Sequence, residues 1–297
     1  MSKKATEFQR KVMSRSYRGK GIFKPLNTGW IDDHTASVRE WVANIFFYKK
    51  EEQVLMIDAG YNYDRLEEKM SWLDLKPSMI QEILITHQDT DHVGAVERDS
   101  PGLFRNAKLY IGEIENQYLT KEAKRKVFFH LYTLPPVRID NEKRLLKDGE
   151  IFQIGQIKVE AILCPGHTRG HMVYLVDDRY LFTGDALWLG ADGGYGFINN
   201  LADNIREQSR SLAKLRRLLD FRGLRPIICT GHTGWTDDVE FAFRHIDQVC
   251  NAWKRVQRPI DPTAPFDGYD EAGDTEEKAR TGRPTKAYQI ETGEADR

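Results

Sequence analysis

Two histidines and two aspartates lie close together in the segment His87-Gln88-Asp89-Thr90-Asp91-His92, directly after the apolar run Ile83-Leu84-Ile85. On an extended backbone, residues two apart project to one side, so His87, Asp89 and Asp91 can converge while His92 approaches from a different angle. Imidazole nitrogens and carboxylate oxygens are ligands that suit zinc, iron and manganese. The segment therefore predicts a metal site at the end of a strand, although a solvated polar turn would use the same residue types.

Three further apolar, β-rich runs each end in a short glycine-containing loop that carries a histidine or an aspartate. Glycine lets the backbone of such a loop turn sharply and approach a ligand closely. One loop of this kind is weak evidence, because a histidine after a strand is often a hydrogen-bonded structural residue. Together the loops predict that several strands deliver ligands to one centre. The side chains concerned are His167 and His171 in the loop 165–171, Asp185 in 183–185, and His232 in 230–234.

Taken in order, these segments resemble the motifs of the metallo-β-lactamase fold superfamily over residues 41–245. The run Leu55-Met56-Ile57-Asp58-Ala59-Gly60 resembles the first motif. The segments that carry His87, His167, Asp185 and His232 resemble the second to the fifth. The resemblance implies an α/β fold, a four-layered αββα sandwich.

The resemblance also implies two divalent metal ions, zinc by default, with a ligand set that is carried over residue by residue. His87 and His167 would hold one ion, Asp91, His92 and His232 would hold the other, and Asp185 would bridge them.

Asp89 departs from the superfamily's usual second motif, H-x-H-x-D-H, because it stands where that motif has its second histidine. A carboxylate makes the ligand set harder and more negative, which makes iron or manganese plausible as well as zinc. In the flavodiiron branch of the superfamily a glutamate takes this position and the metal is iron. Three outcomes remain open: Asp89 is a ligand, it accepts a hydrogen bond beside a weakened first site, or the metal is lost.

The predicted function is a dinuclear metal-dependent hydrolase, in which a hydroxide bridging the two ions attacks a small ester-like substrate. An ester, thioester, lactone, lactam or phosphodiester would fit this chemistry. Asp91 and Asp185 are the predicted catalytic carboxylates. The alternative is a non-hydrolytic di-iron protein related to the flavodiiron branch, which binds or reduces O2 or NO with a separate electron donor.

Other residues are predicted to support or surround the metal centre. Asp58 would orient a ligand. His171 would either hydrogen-bond its own loop, or contact substrate or support a metal ligand. Trp188 and Tyr195, followed by Phe197, are candidate pocket residues near a glycine-rich loop at 192–196.

Composition predicts a globular enzyme that acts on a small molecule. The chain has 297 residues, 40% hydrophobic and 30% charged, with a net charge of -1, so it has no overall basic footprint for nucleic acid. Its apolar runs are too short to span a membrane. The cysteines Cys164, Cys229 and Cys250 form no paired framework, which favours a cytoplasmic location. The oligomeric state stays open, with a homodimer as one option.

The chain divides into three parts on charge and on proline and glycine content. Residues 1–24 form a basic extension, residues 25–258 the metallo-β-lactamase-like domain, and residues 259–297 a tail that is expected to be irregular or disordered. Within the domain, apolar spacing predicts helices over 203–219 and 238–256.

Overall fold

The computed structural model describes residues 23–61, 65–249 and 273–287. In this part of the chain two large sheets face each other, and a small three-stranded sheet and a hairpin lie beside them. The strands are β1 Gly29–Trp30, β2 Thr35–Glu40, β3 Ala43–Lys50, β4 Gln53–Ile57, β5 Ile80–Ile85, β6 Lys108–Gly112, β7 Lys126–Val127, β8 Tyr132–Thr133, β9 Lys143–Leu146, β10 Glu150–Ile154, β11 Ile157–Leu163, β12 Met172–Val176, β13 Tyr180–Phe182, β14 Leu187–Gly190, β15 Gly193–Gly196, β16 Ile227–Thr230, β17 Gly234–Thr236 and β18 His245–Val249. The helices are α1 Leu66–Trp72, α2 Thr90–Val93, α3 Glu113–Leu119, α4 Ile205–Arg222, α5 Val239–Ala242 and α6 Glu276–Thr281.

The first sheet has the strand order β1-β2-β3-β4-β5-β6-β9, and the second has the order β10-β11-β12-β13-β16-β17. Because successive residues of a strand point to opposite faces, each buried strand supplies two cores. In β3, Phe46 packs between the sheets, whereas Phe47 packs on the outer face of the first sheet. In β12, Tyr174 packs between the sheets and Val173 packs on the outer face of the second.

Helices cover both outer faces. Leu66 and Met70 of α1 pack on the first sheet, and Leu212 and Leu215 of α4 pack on the second. Asn204 begins α4 by accepting hydrogen bonds from two backbone N–H groups of its first turn. The four layers are therefore helix, sheet, sheet and helix, which confirms the α/β sandwich predicted from the sequence.

The strand ends that carry the predicted ligands meet at one edge of the sandwich. Strands β4, β5 and β6 are parallel, and so are β13 and β16, so their carboxyl ends lie on the same side of each sheet. Two hydrogen bonds join the sheets there: Met172 N donates to Thr86 O at 2.8 Å, and Asn44 N donates to Gly231 O at 2.8 Å. The loops after these strands are thus held together before any ligand binds.

The helix predicted over 238–256 is wrong for most of its described length. Only Val239–Ala242 is helical, and the Asp238 side chain caps it by accepting a hydrogen bond from Phe241 N. Residues His245–Val249 instead form β18, which pairs in parallel with β15. Pairing with a neighbouring strand overrides the helical apolar spacing here. Residues 250–256 lie outside the described part of the chain.

A segment of the predicted tail, residues 273–287, packs against the domain. Asp274 is buried, with Oδ2 2.9 Å from Lys69 Nζ and 2.9 Å from Thr28 Oγ1. Further along, Trp235 Nε1 donates to Pro284 O at 2.8 Å. The three-part division of the chain stays a prediction, since 1–22 and 288–297 are not described. Among the described helices, none is both long and apolar enough to cross a bilayer.

Candidate metal centre

His87, His167 and Asp185 form the first group of candidate ligands, called here the His87 cluster. One potential ligand atom from each of these buried residues lies within 4.8 Å of the others. Asp185 Oδ2 is 3.9 Å from His87 Nε2 and 3.6 Å from His167 Nε2. The three residues come from the loops after β5, β11 and β13, so the cluster is made where both sheets end.

Asp91, His92 and His232 form the second group, called here the His92 cluster, whose ligand atoms also lie within 4.8 Å of one another. His232 Nε2 is 3.3 Å from Asp91 Oδ2. Asp185 reaches this cluster as well, because its Oδ1 is 3.2 Å from His92 Nε2 and its Oδ2 is 3.2 Å from His232 Nε2. The carboxylate of Asp185 therefore lies between the two clusters.

The donor atoms fit divalent metal ions. His87 Nε2 is buried and has no hydrogen-bond partner in the described structure, which is costly for a polar atom unless a ligand uses it. Burial lowers the pKa of His87 well below its ordinary value, so the ring is neutral and has a free lone pair. Two imidazoles and a carboxylate, or two imidazoles and two carboxylates when Asp185 is shared, are ligand sets typical of zinc.

Asp58 contacts the His92 ring at Nδ1, whereas Asp185 contacts the same ring at Nε2. Asp58 Oδ2 is 2.8 Å from His92 Nδ1, and Asp58 Oδ1 accepts a hydrogen bond from Thr86 N at 2.8 Å. Although burial lowers the pKa of His92, the carboxylates of Asp185 and Asp58 raise it well above its ordinary value. Asp58 thus orients the ring and increases its basicity.

His171 holds the backbone of Asp185 and lies outside both clusters. Its Nε2 accepts a hydrogen bond from Asp185 N at 3.1 Å, and its ring stacks on His87 with centroids 4.9 Å apart. Burial lowers the pKa of His171 well below its ordinary value, which keeps the ring neutral and able to accept. Of the roles left open by the sequence, this hydrogen bond favours support of a ligand, because it holds Asp185 in another loop.

Of the three aromatic residues named as pocket candidates, Phe197 packs on a candidate ligand. Trp188 and Tyr195 are buried together in an aromatic core, and the Tyr195 hydroxyl donates to Asp192 Oδ2 at 2.6 Å. The rings that pack on a ligand are Phe197, stacked 5.2 Å from His232, and Phe23, 4.9 Å from the same ring. Phe23 lies in the segment assigned to the basic extension, so no local pattern could have linked it to the site.

Asp89 is held by an arginine that the sequence analysis did not single out. Arg125 Nε donates to Asp89 Oδ1 and Arg125 Nη2 donates to Asp89 Oδ2, each at 2.8 Å. Asp89 Oδ2 is also 3.2 Å from His167 Nε2. Burial raises the pKa of Asp89, but Arg125 outweighs this and holds that pKa well below its ordinary value. Asp89 is therefore an anion paired with a buried guanidinium.

Comparison with protein families assigns the chain to a superfamily. The family model of the Metallo-beta-lactamase superfamily matches residues 38–232, which include all the residues of both clusters. The chain belongs to this superfamily.

Curated relatives within the superfamily are named hydrolases. Hydroxyacylglutathione hydrolase GloC of Haemophilus influenzae is 27% identical over 191 residues, which cover 63% of this chain and 82% of that protein. Atrochrysone carboxyl ACP thioesterase of Aspergillus fumigatus is 25% identical over 209 residues, which cover 69% of this chain and 57% of that protein. The chain spans less than two thirds of the length of several curated relatives that it matches.

A solved structure supports the fold alone. The B3 metallo-beta-lactamase described as the first with an active site glutamic acid superposes with a TM-score of 0.54 at 17% identity, covering 80% of this chain and 90% of that one.

Six of the seven predicted ligands lie in the two clusters, and Asp89 is in neither. The six are His87, Asp91, His92, His167, Asp185 and His232.

Proposed function

We propose that this protein is a metal-dependent hydrolase of small thioesters, which uses divalent ions, zinc by default, in the His87 and His92 clusters. The observation that carries the proposal is the position of Asp185, whose two oxygens lie 3.2 Å from His92 and 3.2 Å from His232, while Oδ2 is 3.6 Å from His167. One carboxylate serving two ligand groups is the arrangement that dinuclear hydrolases require.

When bound, divalent ions supply Lewis acidity towards a carbonyl oxygen and towards water. The protein's own side chains fix where this happens. Asp185 holds the two clusters at a set distance, and His171 in turn holds the Asp185 backbone. Asp91 is the most exposed of the six candidate ligands, with 22% of its side chain accessible, so substrate is expected to approach beside it. Phe197 stacks on the His232 ring and holds it in place.

The thioester class is supported by the relatives. One is named for hydrolysis of an acylglutathione, which is a thioester, and another is named a thioesterase. A thioester carbonyl suits this centre because the thiolate leaving group needs no strong general acid. Lactones, lactams, other esters and phosphodiesters are the competing substrates.

The test is a hydrolysis screen of the full chain loaded with zinc. Acylglutathione and acylated carrier thioesters are compared with an oxygen ester, a lactone, a β-lactam and a phosphodiester, with thiol release followed by a chromogenic reagent. Saturable thiol release that chelator abolishes, and that Asp185→Asn lowers by at least about 100-fold, is expected. Hydrolysis of another member of the panel with no thiol release would reject the thioester assignment, and no turnover of any member would reject the hydrolase.

A further inference from the structure

The guanidinium of Arg125 is fixed in place with every donor used. An arginine has five N–H donors. Besides the two hydrogen bonds to Asp89, Arg125 Nη2 donates to Leu201 O at 2.7 Å, and Nη1 donates to Asp203 Oδ1 at 2.9 Å and to Lys126 O at 3.1 Å. Its side chain is only 2% exposed. Moving it would break several buried hydrogen bonds, so it is a permanent part of the centre.

Arg125 lies against the His87 cluster. Its Nη2 is 3.3 Å from His167 Nε2, the nitrogen that would bind an ion. This contact is a hydrogen bond, in which Nη2, which also donates to Asp89 Oδ2 and Leu201 O, shares a hydrogen with His167 Nε2 and places a positive charge beside that nitrogen. A divalent ion on His167 would therefore be repelled by the guanidinium at short range.

The same arginine takes the carboxylate that could have completed the His87 cluster. Asp89 Oδ1 accepts from Arg125 and also from Gln88 Nε2 at 2.8 Å, and Oδ2 accepts from Arg125 Nη2. Oδ2 lies 3.8 Å from His87 Nε2 and 3.2 Å from His167 Nε2, as near to them as Asp185 Oδ2 does, but its negative charge is paired with the guanidinium. The Asp89–Arg125 pair carries no net charge, as a neutral imidazole carries none. It thereby removes the electrostatic reason for preferring iron or manganese.

Within the described part of the chain, no arginine or lysine contacts the ligands of the His92 cluster in this way. Its donors are surrounded by the carboxylates of Asp58, Asp91 and Asp185, which favour a cation. The two clusters thus offer ions very different electrostatic surroundings, although they share Asp185.

We propose that Arg125 sets the metal loading of the centre: by holding Asp89 and placing its charge against His167, it makes the His92 cluster the tight metal site and the His87 cluster a weak one. Arg125 is a positioning residue that acts through Asp89. The inference concerns metal binding without substrate, so its failure and the failure of thioester hydrolysis are separate results.

The experiment titrates the chelator-stripped full chain with zinc against a chromophoric competitor and counts the equivalents bound. The wild type is expected to bind one equivalent tightly and a second at least about 10-fold more weakly. His87→Ala should remove the weaker equivalent and leave the tighter one. Two equivalents of indistinguishable affinity in the wild type would overturn the proposal.

Arg125→Met tests the role of the arginine. It should tighten the weaker equivalent by about 10- to 100-fold, because Asp89 becomes free to face the ion. Arg222→Met is the matched control, since Arg222 also forks a carboxylate, that of Glu160, and should leave both affinities unchanged. Weaker binding in Arg125→Met would mean that Asp89 is itself a ligand oriented by Arg125, which contradicts the proposal.

Asp89→Asn keeps the proposal falsifiable if Arg125→Met does not fold, as judged by circular dichroism. It retains the arginine but removes the compensating anion. The zinc affinity of the weaker site should therefore fall by a further factor of about 10, while that of the tighter site is unchanged. An unchanged weaker equivalent would show that the pair has no influence on metal loading.

Discussion

Replacing Asp58 by asparagine should weaken metal binding in the His92 cluster without disturbing the fold. Asp58 has a φ of 58°, and asparagine adopts this left-handed conformation about as readily as aspartate, so the backbone should accept the change. Asparagine retains an oxygen that can accept from Thr86 N. What is lost is the negative charge 2.8 Å from His92 Nδ1, which now keeps that ring basic.

The size of the effect follows from the nature of the lost hydrogen bond. A hydrogen bond to a charged group contributes about 1.5 to 3 kcal/mol. This corresponds to roughly a 10- to 100-fold loss of zinc affinity, the range expected when the partner of a ligating histidine is removed. The loss should fall on the tighter equivalent, since Asp58 contacts no residue of the His87 cluster directly among the contacts described.

The assay is the same zinc competition titration, with circular dichroism to confirm folding. Asp177→Asn is a matched control because Asp177 also has a positive φ, of 49°, and accepts hydrogen bonds, including one from Lys158 N at 2.9 Å, but lies at a hairpin away from the clusters. Equal zinc affinities in the two variants would refute the reasoning that Asp58 acts through His92.

Three further predictions concern stability and packing. Burial raises the pKa of Glu115 from 4.5 to about 7, so the stability that its neutral form contributes is complete below about pH 4.5 and is lost as the pH rises to about 7. Between these pH values, urea unfolding should show that the wild type loses about 3 kcal/mol of unfolding free energy relative to Glu115→Gln. An equal pH dependence in the two proteins would contradict the burial argument. Asp274→Ala should cost about 3 to 5 kcal/mol of unfolding free energy, because it removes the carboxylate 2.9 Å from the buried Lys69 Nζ. In the same urea titration, Asp237→Ala should cost less than about 1 kcal/mol, because the ion pair of Asp237 with Lys286 is partly exposed. Gly231→Ala would place a Cβ 2.5 Å from Asp185 Oδ1, so zinc affinity should fall by at least about 10-fold, while Gly273→Ala, with open space around it, should bind zinc as the wild type does.

The sequence predicted the parts of this centre that depend on local order along the chain. His87, His167, Asp185 and His232 each follow a strand directly, and the carboxyl ends of these strands meet at one edge, so the pattern at each strand end carried enough information. Asp58 and its role were predicted for the same reason.

The parts that sequence reasoning missed depend on contacts between distant segments. Arg125 reaches Asp89 across 36 residues and Asp203 across 78, and nothing in the sequence near Arg125 distinguishes it from the arginines that lie on the surface. Phe23 packs on His232, which is also distant from it in the sequence. Trp188 and Tyr195 were named as pocket residues because they follow Asp185 in the chain, and their rings lie in the same buried cluster as Phe23 and Phe197, the rings that pack on His232.

The Asp89–Arg125 pair has a consequence for how this sequence can change. A single replacement of Asp89 by histidine would restore the common motif but leave a buried guanidinium with Asp203 as its remaining carboxylate partner. A single replacement of Arg125 would leave the mostly covered Asp89 carboxylate beside two histidines without its cation. Each single step therefore passes through a less stable protein, so we expect positions 89 and 125 to covary among homologues, and a motif search that recognises this kind of centre should read both positions together.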